Sequence, residues 1–332
     1  MNGFCAWGRI DFFQINKMNP ELPINPEEES LLTLASKTAD REKRLAALSS
    51  VVAAIGLTTF KIIVGIATGS LGILAEAAHS ALDLVAAIIT FLAVRFSGKP
   101  ADREHLYGHG KIENLSALFE TFLLLATCVW IVYEAYNRLF IETNIHIEVT
   151  IWAFVVMVVS IIIDYSRSRV LYRAARKHNS QALEADALHF STDIWSSGVV
   201  IGGLFLVKLS DWVPALGFLR QADAVAAMVV AGIVIYISIQ LGMRTIYGLL
   251  DTAPKGMFDQ IKSIVESEPG VINCHNLRVR YSGPQLFVDA HILVNPNLSI
   301  VEAHDLTERI EASIHRVAPG ADITVHPEPK ED

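Results

Sequence analysis

The sequence predicts an α-helical membrane protein, with six transmembrane helices followed by a small cytoplasmic α+β domain. Composition is the first observation behind this: of 332 residues, 52% are hydrophobic and 19% are charged, whereas soluble domains carry about 25% charged residues. The second is a set of six apolar segments, each long enough to cross a bilayer, which needs about 20 residues. The third is a change to alternating apolar and polar residues in the last quarter of the chain, which is typical of strands.

The predicted domains follow the chain in order. Residues 1–40, rich in proline and glutamate, are expected to form a disordered cytoplasmic tail. Residues 41–251 are expected to hold the six membrane helices, and residues 252–332 the C-terminal domain. No cleavable signal peptide is expected, because no basic start leads into an apolar stretch. A formal net charge of −8 argues against nucleic acid as a partner, and three widely spaced cysteines exclude a disulfide scaffold.

The six spans alternate with short polar or glycine-containing breaks. They are predicted at about 45–67, 71–95, 114–138, 148–170, 182–208 and 223–246. Twelve basic residues flank one side and three the other, and the basic side faces the cytoplasm. Both termini are therefore predicted to be cytoplasmic.

The C-terminal region predicts an α-β-β-α-β order. A helix at about 255–268 precedes alternating runs at 271–281 and 285–294, which Ser282-Gly283-Pro284 joins as a hairpin. A second helix is expected to begin at an N-cap Ser299, with Glu302 completing a capping box, and a strand at 322–326 closes the domain. The expected result is a small two-layer, metallochaperone-like domain, with both helices on one face of the sheet.

Charged side chains inside membrane spans are costly and usually mark a site. The second span holds His79 and Asp83, and the fifth holds His189 and Asp193, at the same four-residue spacing. That spacing places each pair on one helix face. Both pairs are predicted about 12–13 Å from a membrane edge, near the midplane. Two imidazoles and two carboxylates could then hold Zn²⁺ tetrahedrally, although each pair alone could simply join helices. Glu76, one turn before the first pair, either tunes this site or packs on another face.

Two further groups of acidic and histidine residues lie outside the spans. Asp102, His105 and His109 follow the second span, where they could form a looser metal site or an ordinary solvated loop. The C-terminal domain offers a third candidate metal site, and the equally supported alternative is that its histidines are ordinary surface residues. The members of this site are His275, His291, His304, His326 and Glu328. The alternation of its strand places His291 on the face opposite Val288 and Ile292. His146, His178 and His315 lack an acidic or histidine partner at useful spacing, and no role is predicted for them.

Together these residues resemble the cation diffusion facilitator family, and in particular bacterial zinc/iron efflux pumps. The resemblance rests on the paired His-x-x-x-Asp motifs, on Tyr107-Gly-His-Gly-Lys111 before the third span, and on the C-terminal domain order. It covers about residues 41–328. It implies an inner (plasma) membrane protein that works as a homodimer and exchanges divalent metal ions for protons across a lipid bilayer.

The resemblance also assigns roles to residues. It implies that His79, Asp83, His189 and Asp193 form the transport site, and it associates this set with a zinc preference. It implies that Asp102, His105 and His109 form a loop site. It implies a binuclear cytoplasmic zinc site of His275, His291, His304, His326 and Glu328, with Glu328 standing where an Asp is common and Pro327 replacing a ligand. It further implies that Lys111 and Asp251 form a charge pair that holds the dimer.

The expected function is therefore proton-coupled efflux of divalent cations, most of all Zn²⁺, by alternating access, with zinc both transported and regulatory and with no organic cofactor. One alternative is an intramembrane zinc-dependent hydrolase. It would need an open coordination position and a general base, for which Glu76 is the only candidate, and HExxH is absent. The other alternative is a non-transporting metal sensor or scaffold, which the complete pair of midplane motifs does not favour.

Overall fold

The computed structural model describes the backbone of residues 26–140, 151–212 and 222–331. Most of the predicted N-terminal tail and His146 lie outside the described residues. Contacts divide the chain into two compact units. A helical unit contains residues 42–99 and 111–246, and a C-terminal unit contains residues from 247 onward together with the segment Pro100–Gly110.

Six long helices account for the apolar segments. They are α1 (Pro26–Thr68), α2 (Leu71–Ser97), α3 (Lys111–Phe140), α4 (Ile151–His178), α5 (Gln181–Trp212) and α6 (Ala222–Leu249). Within the described residues, α1, α2, α3, α4 and α6 contain stretches long and apolar enough to cross a membrane. These five candidate spans confirm a helical membrane architecture, and a sixth span within α5 stays a prediction.

The start of α1 differs from the prediction that residues 1–40 form a disordered tail. In the structure the helix begins at Pro26, so residues 26–40 are helical. Proline is favoured in the first turn, where its missing N–H is not needed. Three glutamates, Glu27 to Glu29, follow directly in the sequence, and acidic residues are enriched in the first turn of helices. The composition that indicated disorder is therefore also a helix-start signal.

A buried ion pair joins several elements of the helical unit. Lys43 Nζ of α1 lies 3.0 Å from Glu113 Oε1 of α3, and neither side chain is more than 4% exposed. Ser97 at the end of α2 donates to the same carboxylate oxygen at 3.0 Å. Ser180, between α4 and α5, donates to the other oxygen. Because a buried charge is stable only when paired and hydrogen-bonded, this group fixes how the four segments meet.

The C-terminal unit confirms the predicted α-β-β-α-β order. Its elements are α7 (Met257–Ser267), β1 (Asn273–Ser282), β2 (Gln285–Val294), α8 (Ile300–Val317) and β3 (Asp322–Pro329). The sheet order is β1-β2-β3, with β1 antiparallel and β3 parallel to β2. Ile261 of α7 and Ile310 of α8 are fully buried in one apolar core with Val288 and Ile292 of β2. Both helices therefore cover the same face of the sheet.

Local signals in this unit behave as the sequence indicates. The Ser299 side chain accepts from the backbone N–H of Glu302, and the Glu302 side chain accepts from the backbone N–H of Ser299, which completes the capping box of α8. The hairpin turn holds Gly283 at a φ of +60°, in the left-handed region that suits glycine. The β3 strand runs to Pro329, three residues further than predicted.

The segment Pro100–Gly110 packs against the hairpin of the same unit. The Tyr107 ring meets the Phe287 ring edge-on at 5.6 Å, and the Arg280 guanidinium lies 4.5 Å from the Tyr107 ring centre. Gly110 approaches the backbone of Ser282 so closely that a Cβ would have no room. These contacts explain why Phe287 is buried although it lies on the sheet face opposite the core.

Candidate metal centres

The first centre lies between α2 and α5, where the two His-x-x-x-Asp pairs meet. His189 Nε2 is 3.2 Å from Asp83 Oδ1 and 3.8 Å from Asp193 Oδ2. His79 Nε2 is 4.0 Å from Asp83 Oδ1. One ligand atom each of His79, Asp83 and Asp193 fit within 4.8 Å of one another. The structure therefore brings all four predicted side chains together.

These separations suit one divalent ion. Ligands 2.0–2.1 Å from a tetrahedral zinc lie about 3.3 Å from each other, close to the shorter distances found here. Exposure is uneven: the His189 side chain is 7% exposed, whereas the His79 side chain is 45% exposed. The group thus has a buried side at His189 and a more exposed side at His79.

Two charged residues beside this centre, Glu120 and Lys61, make contacts that the sequence did not predict. Glu120 of α3 is fully buried, and its Oε2 lies 3.6 Å from His189 Nδ1. Lys61 of α1 donates to Ser80 at 2.8 Å and to Glu76 at 3.1 Å. Glu76 is thus paired with Lys61. A single carboxylate such as Glu120 gives no spacing signal, and its only mark in the sequence is a charge within an apolar segment.

The second centre is the loop group of Asp102, His105 and His109. The Asp102 carboxylate accepts from the backbone N–H groups of Glu104 at 2.9 Å and His105 at 2.7 Å. His105 Nδ1 and His109 Nε2 lie 3.4 Å and 3.5 Å from the two carboxylate oxygens. The hydrogen bond from the backbone of His105 lowers the pKa of Asp102, so this carboxylate stays ionised and able to bind a cation.

The third centre is a row of histidines across the C-terminal sheet. His275 of β1 pairs with His291 of β2, which pairs with His326 of β3. The ring centres of neighbouring histidines lie 5.6 Å and 4.9 Å apart. Glu328 faces all three: Oε2 lies 3.1 Å from His275 Nε2, and Oε1 lies 2.7 Å from His291 Nδ1 and 3.7 Å from His326 Nε2. One atom each of His275, His291 and Glu328 could bind one ion.

Electrostatics keep the carboxylate of this row ionised. The hydrogen bond with His291 lowers the pKa of Glu328, and the neighbouring histidines act in the same direction. The predicted strand alternation is confirmed, because His291 is half-buried on one face while Ile292 is fully buried on the other. His304 lies on α8, where it is 69% exposed and pairs with Glu308 at 3.4 Å. The structure therefore gathers His275, His291, His326 and Glu328 and places His304 with a different partner.

Some remaining sequence interpretations change. His178, which has no partner at useful spacing in the sequence, lies 2.8 Å from Glu42 Oε2, because the fold joins residues far apart in the chain. Burial lowers the pKa of His315, which has no metal-ligand group around it among the described residues. Asp251 accepts from Arg280 at 3.1 Å. The predicted Lys111–Asp251 pair, which would join residues of the two units, stays a prediction.

Three observations indicate a membrane protein that binds divalent cations. The helices are long enough to span a membrane, imidazoles and carboxylates meet within them, and the C-terminal domain is rich in histidine. Two family models divide the chain between them. Residues 47–250 match the cation efflux transmembrane domain, and residues 253–330 match the cation efflux protein, cytoplasmic domain.

Full-length relatives agree with these models. The cation-efflux pump FieF of Yersinia enterocolitica is 34% identical over 86% of this chain and 92% of its own. FieF of Citrobacter koseri is 34% identical over 89% and 95%. A solved structure of CzrB in its zinc form is 26% identical over 24% of this chain and 92% of that chain, with a TM-score of 0.23.

The chain belongs to the cation diffusion facilitator family. It is a multi-pass membrane protein and a cation efflux transporter with a small cytoplasmic domain. The expectation that it is a transporter is confirmed, and the alternative of an intramembrane hydrolase is set aside.

Proposed function

We propose that this transporter exports Zn²⁺ in exchange for protons, with His79, Asp83, His189 and Asp193 as its transport site. The observation that carries the proposal is the convergence of the two pairs, with His189 Nε2 within 4 Å of both carboxylates. A divalent ion bound there would compensate two carboxylates that are otherwise costly inside a membrane.

The donor set supports zinc as the ion. Two imidazoles and two carboxylates match the four-coordinate ligand sets that zinc accepts, whereas Mn²⁺ and Mg²⁺ favour sites built mainly from oxygen. The CzrB structure in its zinc form is a similar protein with zinc, but the ligand chemistry of this chain is the reason for the assignment.

Proton coupling follows from the same residues. A histidine binds a metal only through a deprotonated nitrogen, so metal and proton compete for His79 and His189. Histidine exchanges its proton near neutral pH more readily than any other unperturbed side chain. Zinc bound from the cytoplasm would be released to a more acidic exterior as protons replace it, and the returning protons would drive the cycle.

Zinc uptake into proteoliposomes across a pH gradient tests this function. We expect uptake by wild type to depend on the gradient, and zinc to compete better than Cd²⁺, Fe²⁺, Mn²⁺ or Co²⁺. The change Asp83→Ala should abolish uptake, because it removes a ligand that contacts His189. Glu184→Gln is a matched control on α5, since Glu184 pairs with Arg244 away from the centre. Gradient-independent uptake would refute proton coupling, and full activity in Asp83→Ala would refute the site.

Ion selectivity can be tested at one ligand. Changing His79→Asp replaces an imidazole by a harder oxygen donor, which suits Fe²⁺ and Mn²⁺ better. We expect the zinc-to-manganese uptake ratio to fall in this variant while uptake itself continues. An unchanged ratio would mean that His79 does not determine the zinc preference.

We further propose that the loop and cytoplasmic groups are regulatory zinc sites. His275, His291 and Glu328 supply three ligand atoms within reach of one ion, and His326 lies beside them. In full-length protein, His291→Ala with His326→Ala should remove zinc equivalents measured by calorimetry and weaken transport at low zinc without eliminating it. Unchanged zinc stoichiometry would leave these histidines as ordinary surface residues.

We also propose that the protein is a homodimer of the inner membrane with both termini in the cytoplasm, supported by the match of residues 253–330 to the family's cytoplasmic domain. The dimer would be held in part by Lys111 and Asp251. Lys111→Asp should weaken dimerisation, and adding Asp251→Lys should restore part of it. Strictly additive losses in this double-mutant cycle would show that the two residues do not interact.

A further inference from the structure

Glu120 is a buried carboxylate for which the four-ligand transport site gives no role. It lies on α3 with no exposed surface. Its Oε1 accepts a hydrogen bond from Thr90 of α2 at 3.2 Å. Its Oε2 has no hydrogen-bond partner among the described residues. Unsatisfied buried polar atoms are rare in proteins and require an explanation.

The titratable group that faces this oxygen is the imidazole of His189, through its Nδ1 atom. Nδ1 of His189 lies 3.6 Å from Glu120 Oε2, and this nitrogen also has no hydrogen-bond partner among the described residues. The other nitrogen, Nε2, faces Asp83 and Asp193. The imidazole is thus placed between the two ligand carboxylates on one side and Glu120 on the other.

This arrangement determines which nitrogen can bind the ion. A neutral imidazole carries one proton, and only the nitrogen without it can coordinate metal. A carboxylate beside Nδ1 favours the proton there and leaves the Nε2 lone pair directed at the site. The present distance is longer than a hydrogen bond, and a movement of about 0.5 Å would close it.

We propose that Glu120 is a positioning residue that orients His189 and fixes its tautomer for metal binding. The proposal rests on the proposed function of the His79–Asp83–His189–Asp193 site. Thr90 holds one oxygen of Glu120 and so directs the other at His189. The three helices α2, α3 and α5 thereby share one polar chain from Thr90 through Glu120 to the metal ligand.

Cobalt is a suitable probe, because its visible absorption reports the ligand field and its binding can be titrated. The protein is full-length in detergent and carries Asp102→Ala and His291→Ala, so that the loop and cytoplasmic groups do not contribute. In this background we compare Glu120→Leu, which keeps most of the volume and removes the acceptor, with Glu120→Gln, which keeps a neutral acceptor. Leu124→Ala is the packing control, because Leu124 is a buried apolar residue of the same helix.

Loss of an oriented partner typically costs about 10- to 100-fold in metal affinity or activity. We expect that loss and an altered cobalt spectrum in Glu120→Leu, a smaller loss in Glu120→Gln, and neither effect in Leu124→Ala. Background affinity and spectrum in Glu120→Leu would overturn the proposal. If that variant does not fold, Glu120→Gln decides, and cobalt binding equal to that of the background would overturn the proposal in the same way.

The proposed function is tested separately in the same series. Asp83→Ala should abolish cobalt binding in the background protein. If it does not, the transport site itself is wrong. If it does, and the Glu120 variants bind cobalt as the background does, only the positioning role fails.

Discussion

The two best-defined metal centres are built in opposite ways. The proposed transport centre draws its candidate ligands from two helices, with His189 only 7% exposed. The proposed cytoplasmic centre draws its candidate ligands from three strands on a more open face, with His326 63% exposed. Buried carboxylates need the ion far more than exposed ones do, because water does not stabilise their charge. The difference teaches that removing one ligand charge should cost more in the buried set, where water cannot take the place of the ion, than in the exposed set.

The largest expected difference between the two centres appears when one carboxylate charge is removed from each in turn. Asp193→Asn should reduce zinc transport by about 100-fold or more, because a ligand that must be ionised becomes a neutral amide. Glu328→Gln, the matched change in the sheet, should reduce transport only about two- to threefold at saturating zinc. Proteoliposome flux over a range of zinc concentrations measures both. Equal losses would break the distinction between a transport centre and a regulatory one.

The sequence predicts a centre well when its ligands lie on one helix and poorly when its ligands come from different strands. His79 with Asp83 and His189 with Asp193 are four residues apart on single helices, so helix periodicity alone places each pair. The row of His275, His291 and His326 depends on strand register. The sequence shows that these histidines exist, but the antiparallel register of β1 with β2 aligns His275 with His291, and the parallel addition of β3 aligns His326 with His291.

Other features could not be predicted because their partners are distant in the chain. Glu120 and His189 are 69 residues apart, and His178 pairs with Glu42 across 136 residues. No periodicity connects such residues, so tertiary packing alone decides them. His304 shows the opposite case, since a histidine near the others in sequence order lies on a helix and pairs with Glu308. The element order itself was predictable, because capping and turn signals are local.

Stability should show the same contrast between buried and exposed charges. Glu113→Gln removes the carboxylate charge that faces Lys43 at a buried position, and breaking such a pair typically costs about 3–5 kcal/mol. Thermal unfolding of the full-length protein in detergent measures the loss. We expect a clearly lowered melting temperature.

The matched change is Glu266→Gln on α7. Glu266 pairs with Lys262 at 3.8 Å, and both side chains are more than 40% exposed. Exposed pairs of this spacing contribute about 0.3–0.5 kcal/mol, so the melting temperature should hardly move. A similar decrease in both variants would show that the Lys43–Glu113 group contributes no more than a surface pair.

The smallest effect concerns two glutamates of α8 whose pKa values move in opposite directions. Hydrogen bonds from Ser299 lower the pKa of Glu302, whereas burial raises the pKa of Glu311. A lowered carboxyl pKa stabilises the fold above the ordinary value of 4.5, and this contribution is lost as the pH falls through the lowered pKa. A raised pKa has the reverse sign: its relative stabilisation is present below 4.5 and is lost as the pH rises through the raised value.

Amide hydrogen exchange across α8 in the full-length protein can separate the two. At pH 7, Glu302→Ala should reduce protection of the first turn by about two- to fivefold, because the capping box is lost. At pH 7, Glu311→Gln should instead increase protection, because a neutral amide replaces a half-buried charge. As the pH falls, the Glu311→Gln difference should shrink first, at the raised pKa of Glu311 above 4.5, and the Glu302→Ala difference should shrink only below 4.5, at the lowered pKa of Glu302. If the two variants change amide protection in opposite directions at pH 7 and both changes disappear in acid, burial and capping act separately within one helix. Changes in the same direction at pH 7 would contradict the assigned causes.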